Sequence, residues 1–454
     1  MTADDPKDAH IESQDRRGRL QANVAGGLPA ARLGFWIAVI ATGVLAGLGA
    51  DAMMAILRFV QHGAFSYHSG SYSAAVSRHS DLRRLVVLAA GGAITGPCLW
   101  ALRRSRGGTG DEPTEVVWTR SGILSLPRTL ATGAVSEVSV GLGASIGREA
   151  APQRLGAAVG YSVAGLAKLS PSQRRLLVAC GAGAGLGAVY NVPFAGALFA
   201  AELYLDDLSL EFVVAALAAS ALATATSWVY LPRGPVYRIA LPASASGSVV
   251  AFALLAGPIF GLFSAGYVRL VAWASDHRPK GRALLVEPLV VFLLLGVLAF
   301  RYPLLLGNGV DLASWAFSAN RGIAMLVALG LLKPLVTAAC LRSGATGGLF
   351  TPTLSTGAVL GALAGQAWLA IWPGHASPAF AVIGAGAVLA GAIEAPATAV
   401  AMTLELTRGL GVAVGVVLAA TGATLVSRRI EPRSIYSARL AQIEPTEVSR
   451  PHKS

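Results

Sequence analysis

Two apolar stretches of this chain, about two hundred residues apart, have nearly the same sequence. The first reads Gly-Ala-Gly-Ala-Gly-Leu from residue 181, and the second reads Gly-Ala-Gly-Ala-Val-Leu from residue 384. A proline and a glutamate follow each stretch, so that equivalent residues are always 203 positions apart: Pro193 and Pro396, Glu202 and Glu405. A repeat inside apolar segments is typical of transporters and channels, in which the solute binds between the halves near the middle of the bilayer.

The composition places the chain in lipid rather than in water. Of its 454 residues, 54% are hydrophobic and 13% are charged, and the mean hydropathy is +0.60. Soluble domains carry about 25% charged residues. Long stretches with so little charge need lipid as their solvent, which predicts an all-α polytopic membrane protein. The 53 glycines suit close helix contacts and broken helices.

The net charge of +12 does not indicate nucleic-acid binding, because the basic residues lie beside the apolar runs. Basic residues in such places orient helices and contact anionic lipid headgroups. They are Arg16, Arg17, Arg19, Arg103, Arg104, Arg106, Arg174, Arg175, Arg278, Lys280, Arg282, Arg428 and Arg429. The cysteines, Cys98, Cys180 and Cys340, stand in apolar runs without ligand spacing. We therefore expect neither a disulfide framework nor a metal site or other cofactor.

The apolar runs have unequal lengths, which predicts two kinds of segment. Runs near 33–60, 82–102, 209–230, 246–275, 283–300 and 322–341 are long enough to span a bilayer. Others are interrupted by glycine or proline, near 127–146, 149–166, 172–190, 192–204, 349–372, 377–392, 396–408 and 411–427. Segments of the second kind suggest half-helices that end inside the membrane, where free backbone groups must be buried or line a cavity.

A linker rich in proline, glycine and serine divides the chain into two halves. We expect a cytoplasmic N-terminal segment without a signal peptide, two membrane halves joined by this linker, and a short cytoplasmic tail in place of a regulatory domain. The bounds are 1–31 for the N-terminal segment, 32–231 for the first half, 232–245 for the linker, 246–442 for the second half and 443–454 for the tail.

Two of the predicted half-helices start with the same glycine-to-proline spacing. The first start runs from Gly147 to Pro152, and the second runs from Gly347 to Pro352. The start of a helix leaves about four backbone N–H groups unpaired and carries a partial positive charge. Two such starts aimed at one point predict an anion site without a full positive charge. Partial charges suit transport, because a full cation would bind the ion too tightly for release.

Glu149 stands at the first of these starts, among small apolar residues. When ionised, its carboxylate could occupy the anion site, and when protonated it could leave, so the residue could act as a gate or a proton carrier. The alternative is that Glu149 only complements the dipole of its own helix. We favour the functional interpretation, because acids within a membrane are costly.

These motifs resemble the CLC family of chloride channels and chloride/proton antiporters. The run Gly147, Arg148 and Glu149 resembles the family's G-R-E-G-P motif with its gating glutamate, and the segment from Gly348 to Pro352 matches G-x-F-x-P. Further matches are the segment from Lys333 to Gly348, the proline-bearing run from Asn191 to Glu202, and the tyrosine segment Ser434, Ile435 and Tyr436. Together they cover residues 33–442 in the family's order.

The resemblance implies two inverted-topology halves with tilted, broken and re-entrant helices. It also implies a homodimer with one pore per subunit, no enzymatic activity, chloride as the transported ion and, for this chain, a bacterial inner membrane. By the same resemblance, Glu149 is the outer gate and the central anion is held by the backbone N–H groups of Leu349 and Phe350 and by the Tyr436 hydroxyl. Without the resemblance, Tyr436 would be interpreted as an aromatic anchor at the membrane interface. Thr109 is either a hydroxyl donor at the inner end of the pore or a helix N-cap.

Departures from the family pattern bear on the mechanism. Antiporters of the family usually carry a second glutamate directly after the one that matches Glu202, and this chain has Leu203. Leucine cannot carry a proton, so we expect channel-like or weakly coupled transport. The alternative is chloride/proton antiport through another acid, for which Glu115, Glu202 and Glu137 are the candidates. A membrane-embedded enzyme would need converging histidine, aspartate or serine side chains, and the sequence shows no such set.

Overall fold

The computed structural model describes residues 33–104, 112–119, 123–318, 321–373 and 377–440. Within these ranges the regular structure is helical, apart from one isolated bridge between Gly147 and Gly348. The predicted N-terminal segment, the tail beyond residue 440 and Thr109 lie outside the described residues.

The described α-helices are numbered here in chain order. In the first half they are α1 Leu33–Phe65, α2 Tyr72–Ser77, α3 Asp81–Arg104, α4 Pro113–Thr119, α5 Leu126–Gly141, α6 Ala150–Leu166, α7 Pro171–Tyr190, α8 Pro193–Leu198 and α9 Leu210–Ser227. In the second half they are α10 Gly247–Asp276, α11 Glu287–Arg301, α12 Val310–Ala316, α13 Ile323–Arg342, α14 Phe350–Ile371, α15 Ser377–Ile393, α16 Pro396–Thr407, α17 Ala413–Ile430 and α18 Ser437–Leu440. A π-helical turn, Phe199–Leu205, continues α8.

Eight helical segments in the described ranges are long and apolar enough to cross a membrane, which supports an integral membrane protein. The six runs predicted as full spans are all among them. The other two contain α14 and α17, which the glycine-based prediction had placed with the interrupted segments. The glycines of α14 do not interrupt it. A Cβ on Gly361 would lie 2.5 Å from the Phe380 carbonyl oxygen, so this glycine permits close packing on α15.

Each half contains the same glycine contact between two helices. A Cβ on Gly156 of α6 would lie 2.0 Å from the carbonyl oxygen of Gly181 on α7. In the second half, a Cβ on Gly357 of α14 would lie 2.5 Å from the carbonyl oxygen of Gly384 on α15. The repeated sequence at 181–186 and 384–389 therefore encodes two equivalent places where helix backbones touch.

The repeated proline and glutamate join the two halves to each other. The Glu202 carboxylate accepts a hydrogen bond from the backbone N–H of Thr398 in the first turn of α16, at 2.7 Å. The Glu405 carboxylate accepts from the backbone N–H of Ala195 in the first turn of α8, also at 2.7 Å. Each glutamate thus satisfies free N–H groups at the proline-started helix of the other half, where the helix dipole favours negative charge.

Candidate anion-binding site

The starts of α6 and α14 are held side by side by the isolated bridge. The backbone N–H of Gly147 donates to the Gly348 carbonyl at 2.6 Å, and the N–H of Gly348 donates to the Gly147 carbonyl at 2.7 Å. Helix α6 begins three residues after Gly147, and α14 begins two residues after Gly348. The bridge brings the two positive helix ends together, as the matching glycine-to-proline spacing predicted.

The Glu149 carboxylate lies at the start of α14 and is fully buried. One oxygen accepts hydrogen bonds from the backbone N–H groups of Phe350 at 2.7 Å and Thr351 at 3.4 Å. The other oxygen accepts from the Thr351 hydroxyl at 3.0 Å and from the Tyr190 hydroxyl at 2.9 Å. The Glu149 carboxylate therefore complements the dipole of α14, although the residue itself directly precedes α6.

Glycine is required on both sides of this carboxylate. A Cβ on Gly147 would lie 2.2 Å from a Glu149 oxygen, and a Cβ on Gly348 would lie 2.0 Å from the same oxygen. These distances are far below van der Waals contact, so any larger residue would expel the carboxylate. The two glycines make room for one anionic group at the helix starts.

Two cavities approach the Glu149 carboxylate. The first, here called the Tyr190 cavity, has a volume of about 260 Å³, and Arg58, Arg148 and Tyr190 are among its lining residues. The guanidinium of Arg148 lies 5.2 Å from the centre of the Tyr190 ring. Because the Tyr190 hydroxyl donates to Glu149, the carboxylate lies directly behind this cavity.

The second cavity, here called the Tyr436 cavity, is much narrower, at about 20 Å³. Ala150 and Gly348, which adjoin the carboxylate, line it together with Tyr436. The Tyr436 ring packs edge-on against Phe199, with 5.7 Å between ring centres. The Glu149 carboxylate therefore lies close to both cavities, behind Tyr190 of the larger one and beside Ala150 and Gly348 of the smaller one.

Of the residues predicted for one site, Glu149 and Phe350 are in direct contact, and Tyr436 lines the cavity beside Gly348. Leu349 is buried beside them, but the N–H groups that contact the carboxylate are those of Phe350 and Thr351. The motif residues lie at the same junction: Gly147 and Gly348 form the bridge, Arg148 lines the Tyr190 cavity, and Pro352 lies in the first turn of α14.

Sequence reasoning missed two donors, Tyr190 and Thr351. Their hydroxyl oxygens also lie close to each other, since both donate to the same Glu149 oxygen. Thr351 lies within the G-x-F-x-P match and could have been identified as a hydroxyl at a helix start. Tyr190 directly precedes the segment that begins at Asn191, and nothing in its spacing indicates that it reaches α14.

The candidate proton acids have different surroundings. Glu202 is hydrogen-bonded at the start of α16, which favours a structural role. Glu115 belongs to α4, and its side chain is outside the described part of the structure. Glu137 of α5 is fully buried, and neither of its carboxyl oxygens has a hydrogen-bond partner among the described residues. Leu203 is buried.

Known proteins resemble this chain over most of its length. The family model described as voltage gated chloride channel matches residues 91–428. A Ralstonia nicotianae protein named as a ClcB-like chloride channel is 32% identical over 376 residues, which cover 79% of this chain and 86% of that protein. The H(+)/Cl(-) exchange transporter ClcA of Citrobacter koseri is 28% identical over 314 residues, covering 67% of this chain and 66% of the transporter.

The fold is also that of a solved structure. The crystal structure of a slow cyanobacterial Cl⁻/H⁺ antiporter superposes with a TM-score of 0.80, covering 91% of this chain and 98% of the antiporter, at 21% identity. At this identity the likeness concerns the fold alone. It confirms the predicted all-α architecture with broken and re-entrant helices.

Proposed function

This chain belongs to the voltage-gated chloride channel family, known as CLC, and we propose that it moves chloride or another small anion across the membrane. Members of this family are transporters and channels rather than enzymes. We further propose that the protein is a homodimer, that each subunit has its own pore, and that the pore runs through the two cavities on either side of Glu149.

The position of the Glu149 carboxylate carries this proposal. One carboxylate oxygen lies at two N–H groups and the other at two hydroxyls, and the carboxylate stands in for the transported anion there. Neutral donors and a helix dipole supply only partial positive charge, so a halide can bind without being trapped. When the carboxylate leaves, Tyr436 and Gly348 would line the freed passage.

The distribution of arginine supports an assignment of which end of the pore faces the cytoplasm. Arg154 and Arg439 line the Tyr436 cavity. Arg278 and Arg103 interact electrostatically with the same cluster. Cytoplasmic faces of membrane proteins carry an excess of arginine and lysine. We infer that the Tyr436 cavity faces the cytoplasm of a bacterial cell, that the Tyr190 cavity faces outward, and that both termini are cytoplasmic.

We expect purified protein in liposomes to release chloride down its gradient, because Leu203 leaves the pore without the usual inner proton acceptor. An imposed proton gradient should drive no uphill chloride accumulation. The measurement is paired recording of chloride with an electrode and of protons with a pH-sensitive dye, with protein-free liposomes as control. Clear uphill pumping would show that transport is coupled, and absence of chloride release would overturn the proposed function.

A second candidate function is chloride/proton exchange in which Glu137 takes up the proton. A buried carboxyl group without a partner is costly to ionise, so it is suited to hold a proton reversibly. The charged groups that act on it are Arg148 and Glu149. Of the helices packed on α5, α1 carries Asp51 and Arg58, and α3 carries Arg84, which is paired with Asp81.

If transport proves to be coupled, Glu137→Gln should abolish proton movement while chloride continues to flow. Glutamine keeps the size of the side chain but cannot release a proton at this site. The same paired assay measures both fluxes. Glu211→Gln, at an exposed position in the first turn of α9, is the matched control and should keep the wild-type ratio. Unchanged coupling in Glu137→Gln would eliminate Glu137 from the proton path.

A further inference from the structure

One carboxylate and two arginines meet at the Tyr436 cavity. Glu112 and Arg154 both line the cavity and form a short ion pair. Arg439 also lines it, with a guanidinium nitrogen 3.6 Å from the same Glu112 oxygen. Arg278 acts on this carboxylate electrostatically. Glu112 has no part in the proposed function.

The cluster holds more positive than negative charge. The side chains of Arg154 and Arg439 are 6% and 10% exposed, so water can do little to screen them. The Nε of Arg278 is buried and has no hydrogen-bond partner among the described residues. Burial and the nearby Arg439 lower the pKa of Arg278 to about 9. Two guanidinium groups thus contact a single carboxylate, and a third acts on it electrostatically.

We propose that Arg154 and Arg439 form a second anion-binding site, and that Glu112 occupies it as a tethered substitute for the transported ion. The idea deepens the proposed function and depends on it only for the effect on flux, because halide binding can be measured separately. A carboxylate then stands in an anion position at both approaches to the pore, Glu149 behind the Tyr190 cavity and Glu112 at the Tyr436 cavity.

Glu112 is placed so that an incoming anion can displace it. Its side chain is 37% exposed, so it can turn toward water, whereas the arginines it contacts are buried. Although burial opposes the charge, Arg154, Arg439 and Arg278 hold the pKa of Glu112 below its ordinary value. The carboxylate therefore stays ionised through the neutral and mildly acidic range. Anion concentration, rather than cytoplasmic acidification, opens this site.

Halide binding to Glu112→Ala tests the proposal. Removing the occupant should let one more bromide per chain bind than in the wild type, measured by titration calorimetry. Anomalous diffraction from bromide-soaked crystals should place this ion between Arg154 and Arg439. The matched control is Glu287→Ala, which removes the partner of Arg342 from a 2.7 Å ion pair that does not line the cavity. The control should bind bromide as the wild type does.

A second substitution in the same background keeps the test decisive. Adding Arg439→Gln to Glu112→Ala should abolish the extra bromide while leaving a folded, monodisperse protein. In liposomes, Glu112→Ala should also lower the half-saturating chloride concentration several-fold. If Glu112→Ala binds no more bromide than Glu287→Ala at saturating concentration, the second site does not exist. That result would leave the Glu149 site and the transport function untouched, since those are judged by flux alone.

Discussion

Glu149→Ala should raise chloride flux by about tenfold or more. The carboxylate receives four hydrogen bonds, from two backbone N–H groups and the hydroxyls of Thr351 and Tyr190. A hydrogen bond to a charged group contributes about 1.5–3 kcal/mol, and about 1.4 kcal/mol is a factor of ten in occupancy. A tethered competitor held this strongly limits access of chloride to the same donors, so deleting it increases flux.

Glu149→Gln separates the charge of this side chain from its size. Glutamine keeps the shape of the carboxyl group without its negative charge, so its hydrogen bonds to the N–H groups are weaker. Flux through Glu149→Gln should therefore exceed that of the wild type.

Liposome chloride efflux measures the effect of both substitutions. Glu211→Gln, which changes an exposed acid far along the chain, should keep the wild-type rate. If Glu149→Ala leaves the rate unchanged, the carboxylate does not compete with the transported ion and the assigned site is wrong.

Much of the backbone of the site could be predicted from sequence, because it depends on local rules. Proline is tolerated in the first turn of a helix, and every helix start has free N–H groups. Two such starts in equivalent parts of a repeat therefore indicated the junction of α6 and α14. The bridge between Gly147 and Gly348 joins residues 201 positions apart, and only the structure reveals it.

The side-chain donors were harder to predict because they depend on the packing of distant segments. Tyr190 and Thr351 are separated by 161 positions, and neither carries a local signal of contact. The repeated glutamates illustrate the same limit. Their equivalence was visible in the sequence, but each one accepts hydrogen bonds from the first turn of a helix in the opposite half. A symmetrical pattern shows that a role is repeated without showing which half the partner comes from.

Some glycines interrupt helices and others allow helices to pack closely, and composition alone does not distinguish the two. We predicted that they interrupt helices, yet α14 continues through Gly357 and Gly361 because both press against α15. Glycine within a helix is unfavourable by about 1 kcal/mol relative to alanine, so a helix keeps it where another backbone comes too close for a Cβ.

Gly181→Ala should destabilise the protein by roughly 3 kcal/mol or more, the upper end of what overpacking costs. A Cβ on Gly181 would lie 2.0 Å from the Gly156 carbonyl oxygen, and real Cβ atoms essentially never approach closer than 3.0 Å. Both groups belong to helix interiors, so α6 and α7 would have to move apart. Because Glu149 immediately precedes α6, the shift should also disturb the carboxylate and its donors.

Glycine-to-alanine substitution at a position with free space around it should instead increase the stability of the protein. A Cβ on Gly266 of α10 meets no atom within 4 Å, so Gly266→Ala should stabilise the helix by about 1 kcal/mol through propensity alone. Thermal unfolding in detergent, followed by tryptophan fluorescence, compares the two variants with the wild type. Equal stability of Gly181→Ala and Gly266→Ala would contradict the close backbone contact, and with it the reason for repeating the glycine-rich sequence in both halves.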